Sequence, residues 1–312
     1  MSYKNSVKLL TTNFNLVWKE LLYMIIVTLL LGAVGYGFAI PTINLLKENN
    51  VINELSSIFE TIYTAPKEVV ISISNTMLHL TNVISNNFSQ IWLSLLSTTL
   101  IIQFLFQLLK NISFYNLSSL MHLKMSSFVE VGYTRNLIST LRQSTRFSVA
   151  RIIYKLPFTL LKLLVIFTYF RITSTPLGIF IGLFVVSLIL ITLTSIELTI
   201  FSGMAGYMLD KNGNTSAFKA LFAGSISIFK TFPRVFSNAI ITILTIIALN
   251  LFLGIFTLGV ALIITLPASI LFLATFELCA YFGSKEKRYY ITSTTIVTPL
   301  KDDGGENSKK FN

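Results

Sequence analysis

Ser195-Ile196-Glu197-Leu198-Thr199-Ile200-Phe201-Ser202-Gly203 returns eighty residues later as Thr275-Phe276-Glu277-Leu278-Cys279-Ala280-Tyr281-Phe282-Gly283. Glu, Leu and Gly coincide, and most other positions match in kind. Each copy sets a carboxylate inside a long apolar run, where a charge is costly and usually carries a role. The pair predicts an internally duplicated membrane protein.

The rest of the chain agrees. Its 312 residues are 53% hydrophobic and only 12% charged, with a mean hydropathy of +0.73. Soluble domains carry about 25% charged residues. Six apolar runs, at 21–40, 91–109, 156–173, 177–203, 235–256 and 258–282, approach the length that a helix needs to cross a bilayer, about 20 residues for ~30 Å of hydrocarbon. Lys162 and Arg171 interrupt the third. The first follows Lys4, Lys8 and Lys19 and resembles a signal peptide in its charge. Its apolar core is longer than the usual stretch of about 7–15 residues, and no A-x-A site follows, so an uncleaved helix is expected.

Lys and Arg set the orientation. The segment 110–155 holds seven basic residues against Glu130, 207–234 holds four against Asp210, and the tail from Gly283 holds six. The loop 41–90 holds only Lys47 and Lys67 against Glu48, Glu54, Glu60 and Glu68. Six crossings with both termini cytoplasmic and 41–90 outside fit this alternation. The expected location is a bacterial cell (inner) membrane. A net charge of +11 is compatible with nucleic acid, but the basic residues flank apolar runs. Membrane lipids, anionic ones above all, are therefore the expected partner, and nucleic acid is not. A protein partner or a homo-oligomer is left open.

The duplication extends beyond the Glu motif. Leu177-Gly178-Ile179 resembles Leu258-Gly259-Val260, and Leu141-Arg142-Gln143-Ser144 aligns with Leu221-Phe222-Ala223-Gly224. Each unit reads as an amphipathic helix followed by a helical hairpin. Units are expected at 136–215 and 216–283, with an earlier one at 5–110. There Leu10-Thr11-Thr12-Asn13 repeats the pattern and Phe106-Gln107-Leu108 stands as a neutral version of the Glu motif. The fold expected is all-α: a polytopic membrane domain over 1–283 with about six transmembrane helices in repeated amphipathic-helix-plus-hairpin units. The polar tail 284–312 is expected to be disordered and cytoplasmic.

The first unit would carry 41–90 as an extracytoplasmic helical insertion. Leu45, Ile52, Leu55, Phe59 and Ile62 fall at helical spacing, as do Val70, Ile73, Met77, Leu80, Ile84 and Ile91, with a break near Ala65-Pro66. Among the cytoplasmic helices, Arg135, Arg142 and Arg146 are spaced seven and four apart and share one face. With Arg151 they are the candidate contacts for lipid headgroups, although the positive-inside rule alone accounts for such charges. Ser216 is placed to cap the later equivalent helix.

Glu197 lies twenty residues past Leu177 and Glu277 nineteen past Leu258, ~30 Å along a helix. Both carboxylates are thereby expected at the inner edge of the membrane, where they can pair with arginines, rather than at the midplane where a cation relay would need them. Glu197, Glu277 and Gln107 form the candidate intramembrane polar site. No HExxH, GxSxG, P-loop or GxGxxG motif is present. His79 and His122 are expected on opposite sides of the membrane. The lone Cys279 excludes an internal disulfide and a CxxC site. No catalytic residue, cofactor or metal site is expected.

The segment Ala217-Phe218-Lys219-Ala220-Leu221 through Phe229-Lys230-Thr231-Phe232-Pro233-Arg234, followed by an apolar hairpin ending Phe276-Glu277-Leu278, resembles the membrane domain that precedes the catalytic domain of some bacterial glycerophosphodiester phosphodiesterases, and their stand-alone membrane relatives. The resemblance covers most of 136–282. It implies a fold and a membrane habit but no activity, since neither histidine is followed by Arg-Gly as that active site requires. The expected function is non-enzymatic: organising lipid or a partner at the cytoplasmic leaflet. The alternative is a small transporter or permease component using Glu197 and Glu277.

Overall fold

The computed structural model describes residues 2–96, 101–172, 176–211, 215–299 and 306–310. It is all-helical apart from one small sheet near the C-terminus. Four helical stretches, Asn15–Glu48, Ile181–Asp210, Phe232–Phe256 and Leu262–Ser284, are long and apolar enough to cross a membrane among the described residues. The expected run at 91–109 is shared between α5 (Phe88–Leu96) and α6 (Gln103–Ser127), with 97–100 outside the described residues. The run at 156–173 forms the end of α7 (Tyr133–Ile172).

The chain divides into two compact units. The first comprises 1–27, 107–158 and 191–312. It contains α1 (Ser2–Thr12), the start of α2 (Asn15–Glu48), most of α6, the first half of α7 and the end of α8 (Pro176–Phe201). It also holds α9 (Met204–Asp210), α10 (Ala217–Phe229), α11 (Phe232–Phe256), α12 (Leu262–Ser284) and the sheet. α12 is its axis. The helix is apolar on every side, as a helix enclosed by others must be, and its second half, from Ile270 to Phe282, is almost wholly buried. α1, α9, α10 and α11 pack around it. Leu9, Tyr115, Met121, Phe147, Met204 and Leu278 form part of the core.

Ser216 caps α10 as expected, its side chain accepting a hydrogen bond from the Lys219 N–H at 3.3 Å. The turn after Asp210 lies partly outside the described residues. The two Leu-Gly pairs do not correspond. Leu177-Gly178 falls within α8, whereas Leu258 (φ 52°) and Gly259 (φ 86°) make the turn before α12. A left-handed turn favours glycine, and this one starts α12 four residues later than the apolar run suggests.

The tail is a correction. Tyr289–Thr292 (β1), Thr295–Pro299 (β2) and Glu306–Lys310 (β3) form an antiparallel sheet in the order β1-β2-β3. Tyr289, Ile291 and Val297 enter the core of the first unit, and the Asn5 amide donates to the Tyr289 hydroxyl at 2.7 Å. The polar composition after Lys301 suggested disorder, yet 289–297 is an aromatic and β-branched stretch of the kind that favours strands.

The second unit comprises 28–106 and 159–190. Here α2 continues through Pro41 to Glu48, followed by α3 (Val51–Thr64), α4 (Val69–Asn86) and α5. The break between α3 and α4 falls at 65–68, and the two helices pack together. Their core is built on Leu45, Val51, Val83 and Ile91, with Leu55, Leu80 and Ile84 against it. The buried stripe of α3 is thus Val51, Leu55 and Ile58, while Phe59 is 69% exposed. Two overlapping apolar stripes share Leu55, and packing selects the one that spacing does not single out.

A close approach of backbones holds α10 in the first unit. A Cβ on Gly203 would lie 2.2 Å from the Gly224 carbonyl oxygen, whereas one on Gly283, its counterpart in the repeated motif, would meet nothing within 4 Å. Gly203→Ala is expected to destabilise the protein by about 1–3 kcal/mol through overpacking, and Gly283→Ala to leave it near the parent. Thermal unfolding of the purified protein in detergent reads both.

Candidate functional site

Helix α7 carries Arg151 and Lys155 four residues apart, hence on one face. This spacing decides where the two motif glutamates meet. Glu277 of α12 is fully buried and Arg151 is 4% exposed. The guanidinium forks onto the carboxylate, with Nη1 donating to Oε2 at 3.3 Å and Nη2 donating to Oε1. One turn along, Lys155 Nζ lies 2.6 Å from Oε1 of Glu197 on α8. Glu277 also lies within electrostatic range of Lys155 and of Glu197. Two carboxylates eighty residues apart are thereby neutralised by one helical face.

Aromatic rings line the cations. The Arg151 guanidinium lies 4.2 Å from the centroid of Phe114 and 5.3 Å from that of Phe147. Lys155 Nζ lies 5.7 Å from the Phe201 ring, which belongs to the repeated motif itself. A desolvated cation over a ring gains up to about 2 kcal/mol, which offsets part of the cost of removing it from water.

A third buried acid belongs to the same electrostatic neighbourhood and escapes the motif search. Glu20, at the start of α2, is 1% exposed. It accepts hydrogen bonds from the Ser113 hydroxyl and, at 2.9 Å, from the Tyr133 hydroxyl. Lys110 stands within electrostatic range of Glu20, Glu197 and Arg151. Burial and the neighbouring carboxylate push the Tyr133 phenol well above its ordinary range, so it stays protonated and donates to Glu20. In the sequence Glu20 follows Lys19 at the edge of an apolar run and passes for one of the flanking charges. The available signal was a polar spacing on α6: Asn111, Ser113, Asn116 and Ser119 are all buried. Such groups need partners, and Asn116 and Ser119 find theirs in Asn136 of α7, whose Nδ2 donates to Asn116 Oδ1 at 2.7 Å.

The histidines are both carboxylate partners, each within its own unit. His122 Nε2 is 3.0 Å from Asp210, which also accepts from the Tyr281 hydroxyl at 2.6 Å and from Lys287. His79 Nδ1 lies 2.9 Å from both Glu54 oxygens, in the second unit.

The other candidate residues separate clearly. Gln107 is half-buried on α6. Of the four arginines, Arg135, Arg142 and Arg146 are exposed, and Ile138 and Leu141 are exposed beside them. Arg151 is corrected: its side chain is spent on Glu277 and is not free for a headgroup. Its turn of the helix faces inward with Phe147 and Ala150, away from the exposed face. Among the described residues no group of three or more His, Cys, Asp and Glu side chains could hold a metal. Comparison with protein-family models, with curated proteins and with solved structures found no match.

Glu277→Gln is expected to cost about 3–5 kcal/mol, because it leaves Arg151 buried opposite a neutral group. Replacing both partners, as Arg151→Met with Glu277→Leu, is expected to recover most of that loss. Denaturant unfolding in detergent measures the cycle, and a double variant no more stable than the single one would sink the pairing argument.

Proposed function

We propose that this chain is a multi-pass, non-enzymatic membrane protein that organises lipid, or a partner, at the cytoplasmic leaflet. The observation that carries the reading is the division of labour on α7. Its inward face uses Arg151 and Lys155 to neutralise the two intramembrane acids. Its outward face presents Arg135, Arg142 and Arg146 next to exposed Ile138 and Leu141. An apolar stripe edged by arginines suits a bilayer interface with anionic headgroups. Six crossings, both termini cytoplasmic and a bacterial inner membrane belong to this proposal, as do the repeated helix-plus-hairpin units. The resemblance to the membrane domain of glycerophosphodiester phosphodiesterases supports the membrane habit and adds no activity.

Each positive charge at an anionic surface contributes ~1 kcal/mol to binding, so changing Arg135, Arg142 and Arg146 to Gln is expected to weaken binding of anionic lipid about 100-fold. Titration of the full-length protein in neutral detergent with fluorescent phosphatidylglycerol measures this, with phosphatidylcholine as the reference lipid. Equal affinity of the variant and the parent would remove the arginine face from the reading.

A second reading, a transporter component, is favoured by one feature. The Lys155–Glu197 pair is less enclosed than its neighbour, with side-chain exposures of 28% and 11% against 5% and 0% for Arg151 and Glu277. An accessible acid–base pair beside a closed one is a workable proton site. If Glu197 couples transport, Glu197→Gln abolishes the pH-gradient-driven acidification of vesicles holding the protein. An unchanged signal, with the protein folded, sets that reading aside.

A further inference from the structure

We infer that α10 lies in the plane of the membrane, with its aromatic stripe inserted among the lipids of the leaflet at which α11 begins. The occupant of this face is lipid with an anionic headgroup.

Phe218, Phe222, Ile226 and Phe229 recur at four, four and three residues and so share one side of α10. All four are exposed, Phe222 by 65%. The opposite side is engaged with the rest of the protein: Ala217, Ala220, Leu221, Gly224, Ser225 and Ile228 are buried. A Cβ on Gly224 would fall 2.6 Å from backbone atoms of Gly203. Contact between the two backbones fixes the rotation of the helix, so α10 cannot turn its phenylalanines inward. Burying one such ring is worth about 1.5–3 kcal/mol, and three left in water on a single short helix would be a costly arrangement. Monomeric soluble surfaces rarely tolerate such a patch without a partner.

Three observations identify that partner as lipid. The helix has 13 residues, ~20 Å at 1.5 Å per residue, too short to cross ~30 Å of hydrocarbon. It is continuous with a helix that is long and apolar enough to cross: only Lys230 and Thr231 separate it from α11. The aromatic surface runs across this break, with Phe229 stacked on Phe232 at 6.2 Å and Phe232 on Phe236 at 5.7 Å between centroids. Lys219, Lys230 and Arg234 are exposed beside the stripe, and no acid occurs between Asp210 and Glu277. A face with cations and no anions repels its own copy in a symmetric dimer and complements an anionic headgroup layer. Phenylalanine with lysine and arginine is the composition of helices that lie in the interface.

The inference rests on α11 crossing the membrane and not on the arginine face of α7, so either can fail alone. The test uses the full-length chain with Trp18→Phe and Trp92→Phe, which removes both native tryptophans, and one added reporter, Phe222→Trp. Phe229→Trp is a second reporter in case the first does not fold. Phe147→Trp, at a position 0% exposed in the core, is the protected control. The protein is reconstituted in vesicles of equal phosphatidylcholine and phosphatidylglycerol, with one of the two lipids brominated in its acyl chains. Emission from the reporters at 222 and 229 is expected to fall by about half or more, with the control little changed, and brominated phosphatidylglycerol to quench about twofold better than brominated phosphatidylcholine. Changing Lys219, Lys230 and Arg234 to Gln is expected to bring that ratio near one. Reporters no more quenched than the control overturn the insertion. Equal quenching by the two brominated lipids in the unaltered basic background overturns the anionic preference.

Discussion

Arg151 and Lys155 occupy one turn of α7, and the organisation of the first unit follows from what that turn must neutralise. A carboxylate withdrawn from water without a counter-charge costs several kcal/mol. Glu197 and Glu277 therefore constrain the C-terminal ends of α8 and α12 to reach the same face of α7. Rings from Phe114, Phe147 and Phe201 complete the enclosure of the cations. The repeated motif supplies one acid per copy, and a single non-repeated pair of bases serves both. The copies are thus equivalent in sequence but not in environment: Glu277 is fully enclosed by a forked arginine, and Glu197 meets a lysine that remains partly open.

Two further acids of the first unit, buried Glu20 and half-buried Asp210, use different chemistry. Glu20 is held by two hydroxyl donors, Ser113 and Tyr133. Asp210 collects a histidine, a tyrosine and a lysine. The two clusters share α6 and between them tie α2, α6, α7, α9 and α12 by polar contacts. Such contacts orient helices, because a hydrogen bond to a charged group is directional and its loss in a buried site is costly. Surfaces left outside them include the arginine face of α7 and the phenylalanine face of α10.

Much of this was legible in the chain. Hydropathy and length give helices that can cross a membrane. The expected pairing of the two glutamates with arginines holds for Glu277, which meets Arg151, and not for Glu197, which meets Lys155. Face-counting failed elsewhere for physical reasons. Arg151 lies only five residues beyond Arg146, an angular step that carries it from the exposed face to the buried one. Glu20 belongs to no repeated motif, and its partners, Ser113 and Tyr133, lie far away in sequence. The strand-forming stretch from Tyr289 to Val297 was masked by the polar segment after it. On α3 two apolar stripes competed, and packing chose Val51 and Ile58 over Ile52 and Phe59.

The sequence alone determined the helical class, the scarcity of charge and the presence of two matched acids, because burial preference and periodicity are local properties that composition and spacing record. Only the tertiary structure decided which base meets which acid, that one helix serves both copies, and which side of α10 is left uncovered. Those outcomes depend on contacts between residues tens to hundreds of positions apart, such as Gly203 against Gly224 or Arg151 against Glu277, and no local pattern encodes a distance that only folding creates.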